Sequence, residues 1–198
     1  MNLAFDPEAH EYFVDGRMVL SVTKILELAG VIDYSRLPRD VREFALARGS
    51  AVHLATQYDD EGVLVEDSLD EAILGYVQAW RKFRADTGWE NLLIEHRGYH
   101  QTYDYAGCTD RVGWFRGKGE NLLCVLDIKT GKAPGWVALQ LAAYSDFVPY
   151  ATYDRVSVEL HGDGTYRVEV YPVKDRRRHL ADFLACRRVI QLRGERWL

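Results

Sequence analysis

Two stretches decide the fold: Gly107-Cys108-Thr109-Asp110-Arg111-Val112 and Val125-Leu126-Asp127-Ile128-Lys129-Thr130-Gly131. They lie in apolar, β-branched runs that predict neighbouring strands over Tyr103 to Phe115 and Leu122 to Ile128, joined by a turn at Gly117-Lys118-Gly119-Glu120-Asn121. Side chains two residues apart in a strand point the same way, so Asp127 and Lys129 share one face while Ile128 turns into the core. A carboxylate and an ammonium are thereby fixed side by side.

Helical and strand-like patterns surround this pair. The N-terminal half predicts a β-hairpin over Ala4 to Val22, turning at Asp15-Gly16, and then three helices. These helices run from Val22 to Ala29, from Pro38 towards Tyr58 with the apolar stripe Val41, Phe44, Ala45, Val52 and Ala55, and from a capping box at Ser68 and Glu71 to Gly88. Gly49 interrupts the second helix, which suggests close packing or a local break near His53.

The remaining elements complete a layered domain. We predict a strand at Leu92 to Arg97, a helix from Gly135 to Tyr150, a hairpin of Arg155 to Leu160 and Tyr166 to Tyr171, and a last helix from Asp175 to Leu192. Helices before and after a mixed sheet predict an α/β class, with a central mixed β-sheet flanked by helices and an N-terminal β-hairpin.

Composition bounds the remaining possibilities. The chain has 198 residues, of which 47% are hydrophobic and 28% charged, so we expect one globular domain over 1–198. Within it, 1–35 is a hairpin and helix elaboration and 36–198 is the core. No apolar run is long enough to span a membrane and no signal peptide is evident, so we expect a cytoplasmic protein without a membrane partner. Three scattered cysteines, Cys108, Cys124 and Cys186, indicate neither disulfides nor a CxxC zinc site.

Charge is distributed unevenly along the chain. The net charge is -5, which at first argues against a phosphate-rich partner. Residues Asp59 to Glu71 hold seven acids and predict a solvated acidic loop. Residues Lys174 to Leu198 hold eight basic residues and three acids, a local charge of +5. This basic run is either a solvated helix face or a DNA-facing surface.

Asp110 and Asp127 predict a metal site. They lie on neighbouring strands, and two carboxylates that converge on one point require a cation between them. Oxygen ligands of this kind favour Mg²⁺ or Mn²⁺. Such an ion lowers the pKa of a bound water, while Lys129 orients that water or neutralises charge on a phosphate. Asp-x-Lys alone is equally typical of a surface ion pair at a strand end.

Four short motifs follow one another along the chain. They are Gly49-Ser50-Ala51-Val52-His53, Gly107-Cys108-Thr109-Asp110, Asp127-Ile128-Lys129-Thr130-Gly131 and Gln140-Leu141-Ala142-Ala143-Tyr144. Their order resembles the PD-(D/E)XK nuclease superfamily, and most closely its RecB-like exonuclease branch, which includes phage exonucleases and CRISPR-adaptation nucleases. Members of that branch share a Gly-x-x-x-His helix, a Gly-x-x-Asp strand, an Asp-x-Lys-Thr-Gly strand and a Gln-x-x-x-Tyr helix. The resemblance covers about half of the chain.

The resemblance implies a restriction-endonuclease-like layered core and a site residue by residue. Its metal ligands are His53, Asp110, Asp127 and the main-chain carbonyl of Ile128; some members add a carboxylate at the position of Glu95. Lys129 is the catalytic lysine, and Gln140 and Tyr144 share a helix face near the phosphate or the attacking water. Further phosphate contacts are expected from Arg48, Thr130 and Lys132. One or two Mg²⁺ or Mn²⁺ ions are implied.

The implied function is a metal-dependent DNA exonuclease of phage or prophage DNA recombination, repair or processing, acting on single- or double-stranded ends. Trp114, Trp136 and Tyr103 are candidates for stacking on bases. The cysteines do not match the iron-sulfur-bearing relatives, so we expect no cluster, and without a helicase motif any unwinding requires a partner such as a helicase, recombinase or single-strand-binding protein. Two alternatives stay open: a structure-specific endonuclease, and a catalytically silent nucleic-acid-binding or assembly module.

Overall fold

The computed structural model describes residues 1–35, 38–116, 119, 121–149 and 154–194. Its centre is a mixed five-stranded sheet of order β4-β5-β6-β7-β8, in which only β6 and β7 pair in parallel. The strands are β4 (Glu90–His100), β5 (Tyr105–Phe115), β6 (Leu122–Thr130), β7 (Arg155–Leu160) and β8 (Tyr166–Tyr171). The α/β class with a central mixed sheet is confirmed.

Helices cover both faces of the sheet, and successive side chains of β6 pack into a hydrophobic core on either side of it. Leu123 and Val125 pack with α1 (Val22–Leu28), α4 (Val137–Tyr144) and α5 (Arg176–Leu192). Leu126 and Ile128 pack on the opposite side with α2 (Arg39–Glu61) and α3 (Glu71–Thr87). Asp127 and Lys129 therefore face the α4 side while Ile128 is fully buried, as the strand pattern predicted.

A second, three-stranded antiparallel sheet forms the N-terminus. Its strands are β1 (Leu3–Asp6), β2 (Glu11–Val14) and β3 (Arg17–Val19), with Asp15 and Gly16 at positive φ in the β2–β3 turn. The predicted hairpin is confirmed, and β1 adds a strand to it. The amide of Ala106 donates to the carbonyl of Leu20, and Arg17 pairs with Asp104, so this sheet is fastened to the start of β5.

Three predictions about α2, α3 and their connection are wrong in detail. Val41 and Phe44 are exposed, because the first half of α2 extends beyond the sheet and has no core to cover. The N-cap of α3 is Asp70, whose side chain accepts from the amide of Ala72, and not Ser68. The acidic stretch is no solvated loop throughout: α2 continues to Glu61, and α3 begins at Glu71. Gly49 does not break α2.

The C-terminal half follows the predicted order, with β7, β8 and α5 near their expected bounds. The helix predicted over Gly135 to Tyr150 is shorter, since α4 begins after the Pro134 turn and ends at Tyr144. Tyr150 itself lies outside the described residues, as do Gly117, Lys118 and Glu120 of the turn before β6 and Arg196 of the basic run. Among the described helices, none combines the length and the apolar character needed to cross a membrane.

Candidate active site

A groove of about 930 Å³ opens where α2, the edge of β5–β6 and α4 meet the N-terminal sheet. It is lined by every residue that the four motifs and their neighbours predicted as a metal ligand, catalytic group or phosphate contact. The nominated residues that line it are Arg48, His53, Glu95, Asp110, Asp127, Ile128, Lys129, Thr130, Lys132, Gln140 and Tyr144. Of the three candidate stacking aromatics only Trp136 lies here; Trp114 packs against the core and Tyr103 lies against His100.

His53, Glu95 and Asp110 form a cluster in which one ligand atom of each side chain lies within 4.8 Å of the others. The three come from different elements: α2, β4 and β5. His53 Nδ1 lies 3.6 Å from Asp110 Oδ1. Two carboxylates and an imidazole within this span are a donor set of the kind that holds a divalent cation.

Glu95 reaches this cluster through an irregular stretch of β4. The pairing with β5 shifts register between Asn91 and Leu93, which marks a bulge. Glu95 itself has φ of 47° in the interior of the strand, a left-handed conformation that is strained for a side-chain-bearing residue. Backbone strain of this kind is concentrated at functional sites, where surrounding structure maintains it. Nothing in the local sequence signals the bulge, and the sequence pointed to Glu95 only through the carboxylate that some members of the resembling family place there.

Asp127 stands beside the cluster and pairs with Lys129, whose Nζ lies 2.7 Å from Asp127 Oδ2. Asp127 is not one of the three residues whose donor atoms converge within 4.8 Å. Its carboxylate is almost fully buried, whereas the Lys129 side chain keeps 22% of its surface exposed to the groove. Asp110 and Asp127, which the sequence predicted as one pair of metal ligands, therefore have different neighbours. Asp110 lies in the cluster with His53 and Glu95, whereas Asp127 pairs with Lys129.

Ile128 connects the two halves of the site through its backbone. Its amide donates to Asp110 Oδ2 at 2.6 Å, which fixes the Asp110 carboxylate across the β5–β6 ladder. Its carbonyl oxygen lies 3.1 Å from His53 Nε2. One residue of β6 therefore sets the positions of two side chains in the cluster.

Gln140 and Tyr144 share one face of α4, as their spacing predicted. Lys129 Nζ donates to Gln140 Oε1 at 3.3 Å, and Gln140 Nε2 donates to the hydroxyl oxygens of Tyr144 at 3.0 Å and Thr23 at 3.3 Å. The Lys129 ammonium also lies 5.4 Å from the centre of the Trp136 ring. These contacts hold Lys129 from three sides. Thr23 was not identified from the sequence.

Burial and like charges shift the proton affinities of the site. Burial, with the nearby Asp110 carboxylate, raises the pKa of Asp127 to about 6 despite its contact with Lys129. Burial and Asp110 also raise the pKa of Glu95. Burial lowers the pKa of Lys129, but Asp127 and Asp110 raise it by more, so the lysine stays an ammonium at neutral pH. A divalent cation relieves this repulsion between carboxylates.

The groove also contains cations without carboxylate partners. In the described part of the chain, Arg42, Arg48, Arg97 and Lys132 line the groove and none forms an ion pair. The Arg48 guanidinium donates to the carbonyl of Thr130 at 3.1 Å, and its buried Nε has no hydrogen-bond acceptor. Cations left unpaired beside acidic side chains are suited to an anionic ligand.

A buried ion-pair network supports the cluster from behind. Arg111 is fully buried, its Nε donates to Asp60 Oδ2 at 2.6 Å and its Nη1 donates to Glu95 Oε1 at 3.0 Å. Asp60 Oδ1 also lies 2.8 Å from Arg84 Nη1. The two ion pairs of Asp60 connect α2 to the sheet through Arg111 and to α3 through Arg84. The sequence placed Asp60 in a solvated loop; instead its side chain is fully buried.

The basic run after Lys174 lies elsewhere. None of its described residues lines the groove. Arg176 pairs with Asp146, and α5 packs its buried Phe183 and Ile190 towards α1 and α4. The groove cations that the sequence did not single out, Arg42 and Arg97, come from α2 and β4.

No protein-family model matches this chain, and no curated protein does. The resemblance to PD-(D/E)XK nucleases therefore rests on the four sequence motifs, and the function that this resemblance implies is a proposal.

Proposed function

We propose that this protein is a metal-dependent DNA exonuclease that hydrolyses phosphodiester bonds and acts in DNA recombination, repair or processing of a phage or prophage type. One observation carries the proposal: His53, Glu95 and Asp110 converge within 4.8 Å, beside the Asp127–Lys129 pair, in a groove that also holds cations with no ion-pair partner among the described residues. Carboxylates that hold a metal, a charged lysine and phosphate-binding cations are what phosphodiester hydrolysis requires.

The residues present fit Mg²⁺ or Mn²⁺. Two carboxylates and an imidazole converge in the cluster, and the Ile128 carbonyl oxygen lies against the same imidazole. Asp127 adds a third carboxylate whose raised pKa reflects burial near Asp110. One or two hard cations would be held by this set, and a bound cation supplies an activated water and polarises a phosphoryl oxygen.

The chain's own groups have separable tasks in this proposal. Lys129 stays protonated, so it neutralises charge that develops on the phosphate and does not act as a base. Gln140 accepts from Lys129 and donates towards Tyr144, which keeps the ammonium aimed into the groove. Arg48 and Lys132 bind phosphate beside the catalytic groups, at the end of β6 where the Thr130 carbonyl accepts from Arg48.

The deciding experiment compares end-labelled linear single strands, linear duplexes and covalently closed circles, each with Mg²⁺, Mn²⁺ or EDTA. We expect nucleotide release from linear DNA with either metal, no release with EDTA, and intact circles. Cleavage of closed circles would instead identify a structure-specific endonuclease. Binding of DNA without release in either metal would identify a silent nucleic-acid-binding module and overturn the proposal.

Gly49 offers a test in which stability and activity move in opposite directions. It is an interior residue of α2, where Gly costs about 1 kcal/mol relative to Ala. A Cβ there would lie 3.8 Å from Thr130 Oγ1, an ordinary contact, so the fold does not require glycine. We expect Gly49→Ala to raise the free energy of unfolding by about 0.5 to 1 kcal/mol. Because the added methyl group narrows the groove beside Thr130, we expect kcat/KM for DNA to fall about tenfold.

Gly75 in α3 is the matched control. A Cβ at Gly75 would lie 1.8 Å from the carbonyl oxygen of Gly162, so Gly75→Ala is expected to lower the free energy of unfolding. Urea denaturation and steady-state kinetics measure both variants. A Gly49→Ala protein that is stabilised and fully active would show that substrate does not approach α2 at this point.

A further inference from the structure

The N-terminal sheet forms one wall of the groove, although the motifs that define the active site lie outside it. Phe5, Pro7, His10 and Tyr12 line the same cavity as the metal cluster. The centre of the Phe5 ring lies 5.2 Å from the centre of the His10 ring, in an edge-to-face arrangement, and 4.8 Å from the centre of the Tyr12 ring. Tyr12 is buried, and its hydroxyl pKa is raised by burial and by the nearby Cys108. This wall of the groove is thus a cluster of aromatic rings, two of which carry polar groups, the His10 imidazole and the Tyr12 hydroxyl.

Arg97 joins this cluster to the catalytic groups. Its guanidinium lies over the Phe5 ring at 4.7 Å from the ring centre. Arg97 lies two residues after Glu95 on the same strand, β4. Among the described residues no carboxylate pairs with it, and its side chain is exposed towards the groove. A guanidinium held on an aromatic face presents its donors in a fixed plane, the geometry that binds phosphate bidentately.

We propose that Arg97, with the rings of Phe5 and His10, forms a subsite for the nucleotide next to the scissile phosphate. Arg97 binds that nucleotide's phosphate, and the aromatic wall stacks on its base. The inference rests on the proposed function and adds to it a second recognition point, on the opposite side of the metal cluster from Arg48 and Lys132.

One feature favours a nucleotide over a simple anion. The site pairs one cation with two rings, and rings contribute base stacking, which inorganic anions cannot use. Hydrogen bonds hold the N-terminal sheet in place beside the groove: Arg17 makes two hydrogen bonds to Asp104, and the Tyr99 hydroxyl donates to the same carboxylate.

The test measures kcat/KM on a single-stranded oligonucleotide over a range of salt concentrations. We expect Arg97→Ala to lower kcat/KM about tenfold, mainly through KM, and to reduce the slope of log kcat/KM against log salt by about 0.7, the value for one phosphate contact on a single strand. Arg97→Lys keeps the charge and should restore the slope. Phe5→Leu keeps apolar packing but removes the ring, so it should lower kcat/KM about tenfold with an unchanged slope.

Arg167→Ala is the matched control, since Arg167 is exposed on β8, outside the groove. If the wild type degrades DNA while Arg97→Ala and Phe5→Leu match Arg167→Ala in rate and slope, the subsite is disproved and the proposed function stands. If the wild type neither binds nor degrades nucleic acid, the proposed function fails and the subsite fails with it. An unchanged slope in Arg97→Ala together with a lower rate would assign Arg97 a structural role and overturn its phosphate contact.

Discussion

Lys129→Met is expected to lower kcat for DNA cleavage by about 10²- to 10³-fold, the range for removal of one preorganised charge-stabilising donor. The Lys129 ammonium contacts Asp127, Gln140 and the Trp136 ring, and its pKa lies above the ordinary value because two carboxylates outweigh its burial. Methionine is slightly shorter than lysine; it keeps the apolar contacts of the side chain and removes the charge together with its hydrogen-bond donors. Single-turnover cleavage of end-labelled DNA measures the loss, and we expect Asp127→Ala to be similarly inactive.

The matched control is Lys82→Met, which removes an exposed ammonium that pairs with Asp86 far from the groove motifs. This variant should retain wild-type cleavage. Circular dichroism spectra and thermal melting distinguish an inactive folded Lys129→Met protein from an unfolded one. A folded Lys129→Met or Asp127→Ala variant that degrades DNA at the wild-type rate would show that the active site is assigned to the wrong residues.

Asp60→Asn is expected to lower the free energy of unfolding by about 3 kcal/mol or more. The Asp60 and Arg111 side chains are both fully buried, and Asp60 also accepts from the Trp80 indole at 3.0 Å. Removing the charge of Asp60 leaves Arg111 in the interior with Glu95 as its one remaining carboxylate partner among the described residues. Breaking one partner of a buried ion pair costs far more than the net value of the intact pair, because the remaining charge stays desolvated.

Urea denaturation of Asp60→Asn and Glu90→Gln provides the comparison. Glu90 also pairs with an arginine, Arg116, but both side chains are about half exposed, so Glu90→Gln should cost no more than about 1 kcal/mol. Equal, small losses for the two variants would show that water reaches Arg111 and that the network contributes little. Under the proposed function, Asp60→Asn is also expected to weaken Mn²⁺ binding, because Arg111 would then draw Glu95 away from His53 and Asp110.

Much of the fold follows from local patterns. The alternation of β6 predicted that Asp127 and Lys129 share a face, and the four-residue spacing predicted that Gln140 and Tyr144 share a face of α4, where their side chains are in contact. Gly88 and the turn at Asp15-Gly16 predicted the end of α3 and the first hairpin, because both signals depend on neighbours within a few residues. The apolar stripe of α2 predicted burial wrongly at Val41 and Phe44 for the same reason. Periodicity places these two side chains on one helix face but does not say whether a core lies opposite that face.

The sequence by itself determined which strand presents the Asp-x-Lys pair, which helix presents His53, and that the chain builds an α/β sheet. These features are encoded in side-chain alternation and spacing, which act along the chain. Only the tertiary structure decided that Glu95 completes the cluster, that Asp60 neutralises the buried Arg111, and that the N-terminal sheet with Arg97 forms a groove wall. These relations join residues 15 to 92 positions apart, and they depend on strand register, a bulge and burial, none of which a local pattern specifies.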